Sequence, residues 1–467
     1  MKPKVLFLPH GNLQYSQLRP ERRAWVVANA YGSLFDLVHR QDFPMAFEAS
    51  GFTVDAIARL APHVMEKLRD LIKARLLEPV ASPYTHIMLS NIDPEIGLAS
   101  LRDGLEAWER CAGVRPTVGW NPECSWADYI PEIYKAAGFD TLVIDGDSLL
   151  LSLPEVRQAT GLRYDVRGHS NKGRLFRIED FIGGRPEYER FLTNPSRAAN
   201  GLGLLCRTDM LANPMLWYLM GATEGVRERP ISLDEIRGIL ERWKDRVART
   251  GTFIMPFAED AEYIGTSAYF YVKQFGHSRF FEPEPGSVTR FQELLETTKA
   301  MGFEPATPST VLADTRITLD NPFIDRLDNG IAWHGGTAKA WANTSYARLL
   351  DPPCRMLFEN FKRVLRHLNL TTETTNGNLR EALRAITSAY VSDARWPPAP
   401  TSPGRFNVEE AVADLFAANE ALARGMAEHG VADLKSLHSV ELMRTQIEAV
   451  RDELAAMQYF GEPPLKT

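Results

Sequence analysis

Two short segments carry residues suited to chemistry on a sugar. In Gly119-Trp120-Asn121-Pro122-Glu123-Cys124-Ser125-Trp126, a carboxylate sits between two tryptophans directly after an apolar run. Indole faces stack on the apolar C–H surfaces of sugar rings, whose rims hydrogen-bond, so Trp120 and Trp126 are candidate sugar-binding residues. In that setting Glu123 can attack an anomeric carbon. In Met255-Pro256-Phe257-Ala258-Glu259-Asp260-Ala261-Glu262-Tyr263 a second apolar run ends in acids, with Tyr269, Phe270 and Tyr271 close behind. Two carboxylates facing each other supply a nucleophile and a general acid/base, the minimum for retaining glycoside chemistry. Taken alone, Glu123 is also compatible with a structural ion pair at a strand end. Asp260 shares its window with Glu259 and Glu262.

These residues need elements to position them. Five apolar runs end in polar or charged residues. Residues 5–8 lead to His10, 117–120 to Glu123, and 141–144 to Asp145 and Asp147. Residues 202–206 lead to Arg207 and Asp209, and 252–257 to Glu259 and Asp260. Continuous apolar runs of this length read as buried parallel strands. The C-terminal strand ends of an α/β barrel form its active-site face. Residues 56–78 have helical spacing, and Pro62 divides them.

Beyond about residue 306 the pattern becomes helical. Leu357, Phe361, Val364, Leu365 and Leu368 share one helix face. Leu379, Leu383, Ile386 and Tyr390 form a second stripe, and Met443, Ile447, Val450 and Leu454 a third. Asn407 followed by Glu410 matches a capping box, and the proline-rich residues 396–404 match a stiff connector. The expected organisation is an α/β domain over 1–305 and a helical bundle over 306–467 packed against it.

Composition excludes several classes. With 53 Lys+Arg and 60 Asp+Glu the net charge is −7, and the pI near 5.9 does not suit a phosphate backbone. No run of 18 apolar residues offers a membrane span, and the start is too short in apolar residues for a signal core. Cys111, Cys124, Cys206 and Cys354 are few and scattered, which fits a reducing cytoplasm. The ten histidines show no His-x-x-x-His or His-x-His pair, so neither a metal nor another cofactor is expected. Nucleic acid and membrane are not expected partners. The sequence leaves the oligomeric state open.

The motifs together resemble glycoside hydrolase family 57, which includes α-amylases, 4-α-glucanotransferases and branching enzymes. Trp120-Asn121-Pro122-Glu123-Cys124 is similar to its nucleophile motif, and Asp260-Ala261-Glu262 with Gly265 to its acid/base motif. Ile130-Pro131-Glu132-Ile133 and Ala137-Gly138-Phe139 through Asp145 resemble its next helix and strand. Leu77-Glu78-Pro79-Val80-Ala81-Ser82-Pro83-Tyr84-Thr85-His86 resembles its Glu-to-Pro-Tyr-x-His segment, and Arg207 with Asp209 its Arg-Asp pair. The sequence departs at His10-Gly11-Asn12, where His-Gln-Pro is usual, and after Gly265. Either Trp333-His334-Gly335-Gly336 or Trp341 stands where the late motif belongs.

The resemblance implies an incomplete (β/α)7 barrel (pseudo-TIM) followed by a helical domain, acting on α-linked glucans. Glu123 would be the nucleophile and Asp260 the general acid/base, about 5–5.5 Å apart. His10, Glu78, His86 and Arg207 would line the donor-sugar site, with Asp209 and Glu262 beside them. Other readings are a catalytically silent sugar-binding relative and a metal-dependent polysaccharide deacetylase.

Overall fold

The computed structural model describes residues 2–166, 171–221, 229–272, 277–313, 319–396, 406–431 and 438–457. The connector expected over 396–404 lies outside the described residues, apart from Trp396. Nine strands frame the site: β1 Lys4–Phe7, β2 His10–Gly11, β3 Met45–Ala49, β4 Leu77–Ala81, β5 Val118–Trp120, β6 Thr141–Asp145, β7 Ser196–Arg197, β8 Gly203–Arg207 and β9 Phe253–Phe257. One sheet runs β2-β3-β4-β5-β6-β8 in parallel, with β7 antiparallel on β8 and strand Leu319–Asp320 parallel to β7 at the far edge. A second sheet places β1 between β9 and strand Glu304–Ala306, all parallel. The two sheets are joined through Leu8 and Pro9. The Leu8 amide donates to the Phe257 carbonyl at 2.8 Å, and the Glu48 amide to the Pro9 carbonyl at 3.0 Å. The class is α/β with a mostly parallel sheet.

Strand alternation explains what faces what. Leu6, Leu8, Ala46, Val80, Val118, Trp120, Val143, Leu205, Phe253 and Met255 form one buried cluster, with contributions from β1, β3, β4, β5, β6, β8 and β9. Their neighbours Val5, Phe7, Met45, Phe47, Leu142, Leu204 and Ile254 turn outward into the larger core beneath the helices. Two residues on from an inward apolar side chain comes an inward polar one: His10 after Leu8, Glu48 after Ala46, Asp145 after Val143, Arg207 after Leu205. Polar groups therefore collect at the C-terminal strand ends.

The helices follow ordinary start signals. Helix Gly51–Leu60 begins at Ser50, whose hydroxyl accepts the Thr53 amide at 3.2 Å. Pro62 opens the next helix, Pro62–Lys73, and so divides the stretch as expected. Helices Ser345–Leu368, Gly377–Ala389, Phe406–Glu428 and Val440–Ala456 bury the anticipated stripes; Leu357, Leu383 and Ile447 are fully covered. The capping box at Asn407 and Glu410 is not formed. Both residues lie inside helix Phe406–Glu428; Asn407 Nδ2 donates to the Gln14 carbonyl at 2.7 Å and Glu410 pairs with Arg23 at 2.6 Å. The i,i+3 spacing serves docking onto the N-terminal segment instead. Among the described residues no helix is long and apolar enough to cross a membrane.

Helix Pro94–Ala112 crosses helix Gly51–Leu60 at two glycines. A Cβ at Gly104 would meet the Ser82 carbonyl oxygen and lie 3.1 Å from the Tyr84 amide nitrogen. Both neighbours are backbone and cannot step aside. Gly104→Ala is expected to cost about 1–3 kcal/mol as overpacking, read as a lower urea midpoint at unchanged slope. An unchanged midpoint would show that the crossing has slack.

Candidate active site

Glu123 lies just past β5 in a short 3-10 turn, Pro122–Cys124. Its φ is 58° and that of Cys124 is 44°, two consecutive left-handed residues without glycine. Such backbone persists only where surrounding bonds impose it. Here the Cys124 amide donates to the Asn121 carbonyl (2.8 Å), and the Trp333 amide to the Glu123 carbonyl (2.8 Å). The loop that carries the carboxylate is thus fastened to a segment more than two hundred residues away.

Glu123 and Asp260 line one pocket of about 320 Å³, together with His10, His86, Glu259 and Asp393. That volume is within the range of small-ligand sites. Burial, then the charges of Asp393 and Asp260, push the Glu123 carboxyl well above the carboxylate range; His10 and Trp333 pull the other way. Burial also raises Asp260, against His10, Lys172 and a hydrogen bond from Tyr15. Both acids hold protons more tightly than free carboxylates do.

His10 is paired with Glu48 through Nδ1 and lies over Trp120, with ring centroids 5.6 Å apart and planes 18° from parallel. Burial alone lowers its pKa. The Glu48 carboxylate outweighs that effect and lifts it to about 10, so His10 is a cation at neutral pH. His86 is different. Burial and the His10 charge push it well below its ordinary value, so it stays neutral. Its Nδ1 lies 2.9 Å from Ser392 Oγ, 3.8 Å from Glu123 Oε1 and 3.7 Å from Asp393 Oδ2.

A buried ionic cluster lies beneath the pocket. Arg207, with no exposed side-chain surface, binds Asp145 at 2.9 Å, Asp209 at 2.6 Å and Glu259 at 2.9 Å. Asp209 reaches His334 Nδ1 at 2.6 Å, and its amide donates to Asp147 at 2.6 Å. Burial lifts Glu259 to about 7, although Lys172 and Arg207 pull it down. Glu262 is also covered: it accepts the Asn12 amide at 2.7 Å and the Tyr31 hydroxyl. Burial, with the Asp260 charge, lifts it to about 8.

The structure thus gathers His10, His86, Glu123 and Asp260 around the pocket, with Arg207, Asp209 and Glu262 directly below. Trp120 (0% exposed) and Trp126 (4%) are packed away from the pocket surface. Trp333, Trp396, Tyr263 and Tyr269 present the aromatic lining instead. Trp341 packs against Trp396 with centroids 4.6 Å apart, so of the two late-motif candidates Trp333 and His334 reach the pocket. Glu78 is not part of the site. It sits at the opening end of β4, away from the polar strand ends, where it accepts the Ser309 amide at 2.9 Å and the Ser309 hydroxyl at 2.6 Å.

Sequence reading missed Glu48, Lys172 and Asp393. Glu48 carries the same signal as the others, a charged residue closing an apolar strand. Lys172 and Asp393 carry none. Among the described residues, three sets of side chains have ligating atoms within 4.8 Å of one another and could hold a metal: His86, Glu123 and Asp393; Asp209, Glu259 and His334; Asp145, Asp147 and Asp209. The last two sets already share the Arg207 guanidinium as their cation.

Known proteins resemble this chain in part of its sequence and in its fold. The family model for glycosyl hydrolase family 57 matches residues 17–176. Two probable 1,4-alpha-glucan branching enzymes of Mycobacterium tuberculosis are 33% identical over 82 residues, which is 18% of this chain and 16% of theirs. The match therefore spans about a sixth of those relatives' length. Three solved structures share the fold. A family-57 branching enzyme from Thermococcus kodakaraensis aligns over 99% of this chain and 98% of its own, at 14% identity and TM-score 0.58. The Pyrococcus horikoshii family-57-type branching enzyme covers 100% and 98%, at 14% and 0.57. The α-amylase AmyC of Thermotoga maritima covers 97% and 98%, at 13% and 0.56.

The His10–Glu48 pair gives a pH prediction. A histidine whose folded pKa lies above its unfolded value stabilises fully below about 6.5, and that stability fades as pH rises toward 10. Urea midpoints of the wild type are expected to fall across this window, and more steeply than those of Glu48→Gln. Parallel curves would mean that His10 is not held as a cation by Glu48.

Proposed function

We propose that this chain is a retaining α-glucan-active enzyme of the family-57 type, working through a covalent glycosyl-enzyme intermediate. One observation carries the reading: the carboxyls that follow β5 and β9, Glu123 and Asp260, share a single pocket lined with aromatic rings and a buried imidazolium. Its scaffold is an incomplete (β/α)7 barrel (pseudo-TIM) over 1–305, followed by a helical domain over 306–467. Support for the barrel is the buried cluster drawn from the inner faces of the parallel strands.

Glu123 attacks the anomeric carbon while Asp260 protonates the leaving glycosidic oxygen. Asp260, now a carboxylate, then takes a proton from water or from an acceptor sugar hydroxyl. His10 and His86 bind the donor sugar. Arg207 and Asp209 hold the pocket floor, and Trp120 sets the His10 plane from below. Glu262, screened behind Asn12 and Tyr31, supports Asp260 rather than replacing it. The substrate is an α-linked oligo- or polysaccharide. Hydrolysis and glucan transfer share the first half-reaction and part at the acceptor.

Glu123→Gln is expected to lower activity on maltoheptaose and amylose by at least about 1,000-fold. Full activity would remove the nucleophile assignment. Shorter wild-type products mean hydrolysis; longer or branched products mean transfer. Asp260→Asn should spare substrates whose leaving group needs no proton, whereas the same rescue in Glu262→Gln would move the acid/base role there.

A further inference from the structure

A second cavity, of about 340 Å³, opens where the later helices pack on the α/β part of the chain. No described residue lines both it and the Glu123 pocket. Its walls come from helix Gly51–Leu60 (Asp55), helix Pro94–Ala112 (Asp103 and Arg110), helix Gly377–Ala389 (Arg384) and helix Phe406–Glu428 (Asp414), with Tyr84 from the segment after β4.

The hydrogen bonds around this cavity are incomplete. Arg110 is engaged by Asp55 at 2.6 Å, and the Tyr84 hydroxyl also donates to Asp55, at 3.0 Å. Arg384 binds Glu106 at 3.0 Å and reaches Oδ1 of Asp103 at 3.4 Å, where Arg380 donates as well. Asp103 is only 2% exposed, and its other oxygen, Oδ2, has no partner. Asp414 is half-buried and makes no hydrogen bond or ion pair among the described residues. Burial, then the charge of Glu410, lifts its carboxyl to about 7. A covered acceptor left without a donor is costly, and here two such carboxyls line one cavity.

The walls also select the chemistry of an occupant. A cation would stand beside Arg110 and Arg384, whose guanidiniums already answer Asp55 and Asp103. An anion would stand beside Asp55, Asp103 and Asp414. Like charges this close repel strongly where water is scarce. A neutral ligand rich in hydroxyls avoids both contacts, because each O–H can donate to a carboxylate and accept from a guanidinium. Tyr84 and Ala385 add apolar surface for the C–H faces of a sugar ring.

We infer that this cavity is a second carbohydrate-binding site, in which Asp103 and Asp414 accept hydrogen bonds from hydroxyls of the bound sugar. That the sugar belongs to an α-glucan rests on the function proposed above. Tyr84 lines this cavity and His86, two residues on, lines the Glu123 pocket, so the site holds substrate close to where it reacts.

The test titrates the full chain with maltotriose by calorimetry, in a Glu123→Gln background so that the sugar is not consumed. Two molecules should bind per chain, and Ala385→Trp, which fills the cavity, should leave one. Asp414→Ala should weaken the second site by about 10- to 100-fold, the range for hydrogen bonds to a charged group. It serves alone if the tryptophan variant fails to fold. Two molecules still bound after Ala385→Trp, or binding in Asp414→Ala within about 3-fold of the parent at both sites, overturns the inference. A single molecule bound in every variant removes the second site and leaves the reading of the Glu123 pocket standing. A single molecule that Ala385→Trp abolishes keeps the second site and removes glucan binding from the Glu123 pocket. No binding in the parent removes both.

Discussion

A guanidinium taken wholly out of water must be surrounded by acceptors, and at the end of β8 that requirement orders the whole pocket floor. Arg207 draws in Asp145 from β6, Asp209 from the following helix and Glu259 from the end of β9. Asp209 then fixes His334, so a segment from beyond residue 306 is tied into the same network. Such a cluster costs much desolvation and adds little net stability. What it provides is register. The strand ends can meet in one arrangement, and that arrangement sets Glu259 next to Asp260.

The same charge accounting sets the poise of Glu123 and Asp260, the proposed reacting pair. The pocket carries Glu123, Asp260, Glu259 and Asp393 against the cationic His10 and Lys172. Burial pushes both Glu123 and Asp260 up. In the proposed reaction Asp260, as acid/base, needs that shift. Glu123, the proposed nucleophile, would work as an anion, and the charge that favours that form is the His10 imidazolium, kept charged by Glu48. A pocket lined with carboxyl groups that can ionise suits the oxocarbenium-like transition state of the proposed reaction.

Most of the floor was legible in the sequence because strand alternation is local. An inward apolar residue followed two places later by a charge needs no knowledge of the rest of the fold, and His10, Asp145 and Arg207 were readable for that reason. Glu78 shows the limit of the rule. It shares strand β4 with inward Val80 but precedes it, which puts it at the far end, capping Ser309. Asn407 and Glu410 had the spacing of a helix cap and were recruited for tertiary contacts, which local pattern cannot reveal. Asp393 was invisible because its place in the pocket depends on a turn brought alongside His86 across some three hundred residues. The tryptophans flanking Glu123, read from the sequence as sugar-stacking residues, are buried outside the pocket lining, where Trp333 and Trp396 stand instead.

The helical part of the chain is therefore more than a support. Trp333 bonds the Glu123 carbonyl, Trp126 the Ile331 carbonyl, Ser392 the His86 carbonyl and Phe406 the Ser16 carbonyl. Each bond joins a loop at the strand ends to residues beyond 306. The left-handed backbone at Glu123 and Cys124 is held by this framework, since strained conformations persist only where their surroundings over-determine them. If the strands alone were kept, the apolar layers between them would remain, but the Glu123 loop would lose the bond from Trp333 that opposes its relaxation. Strand ends supply the carboxyl groups of the pocket, and the later chain supplies the bonds that hold their loops in place.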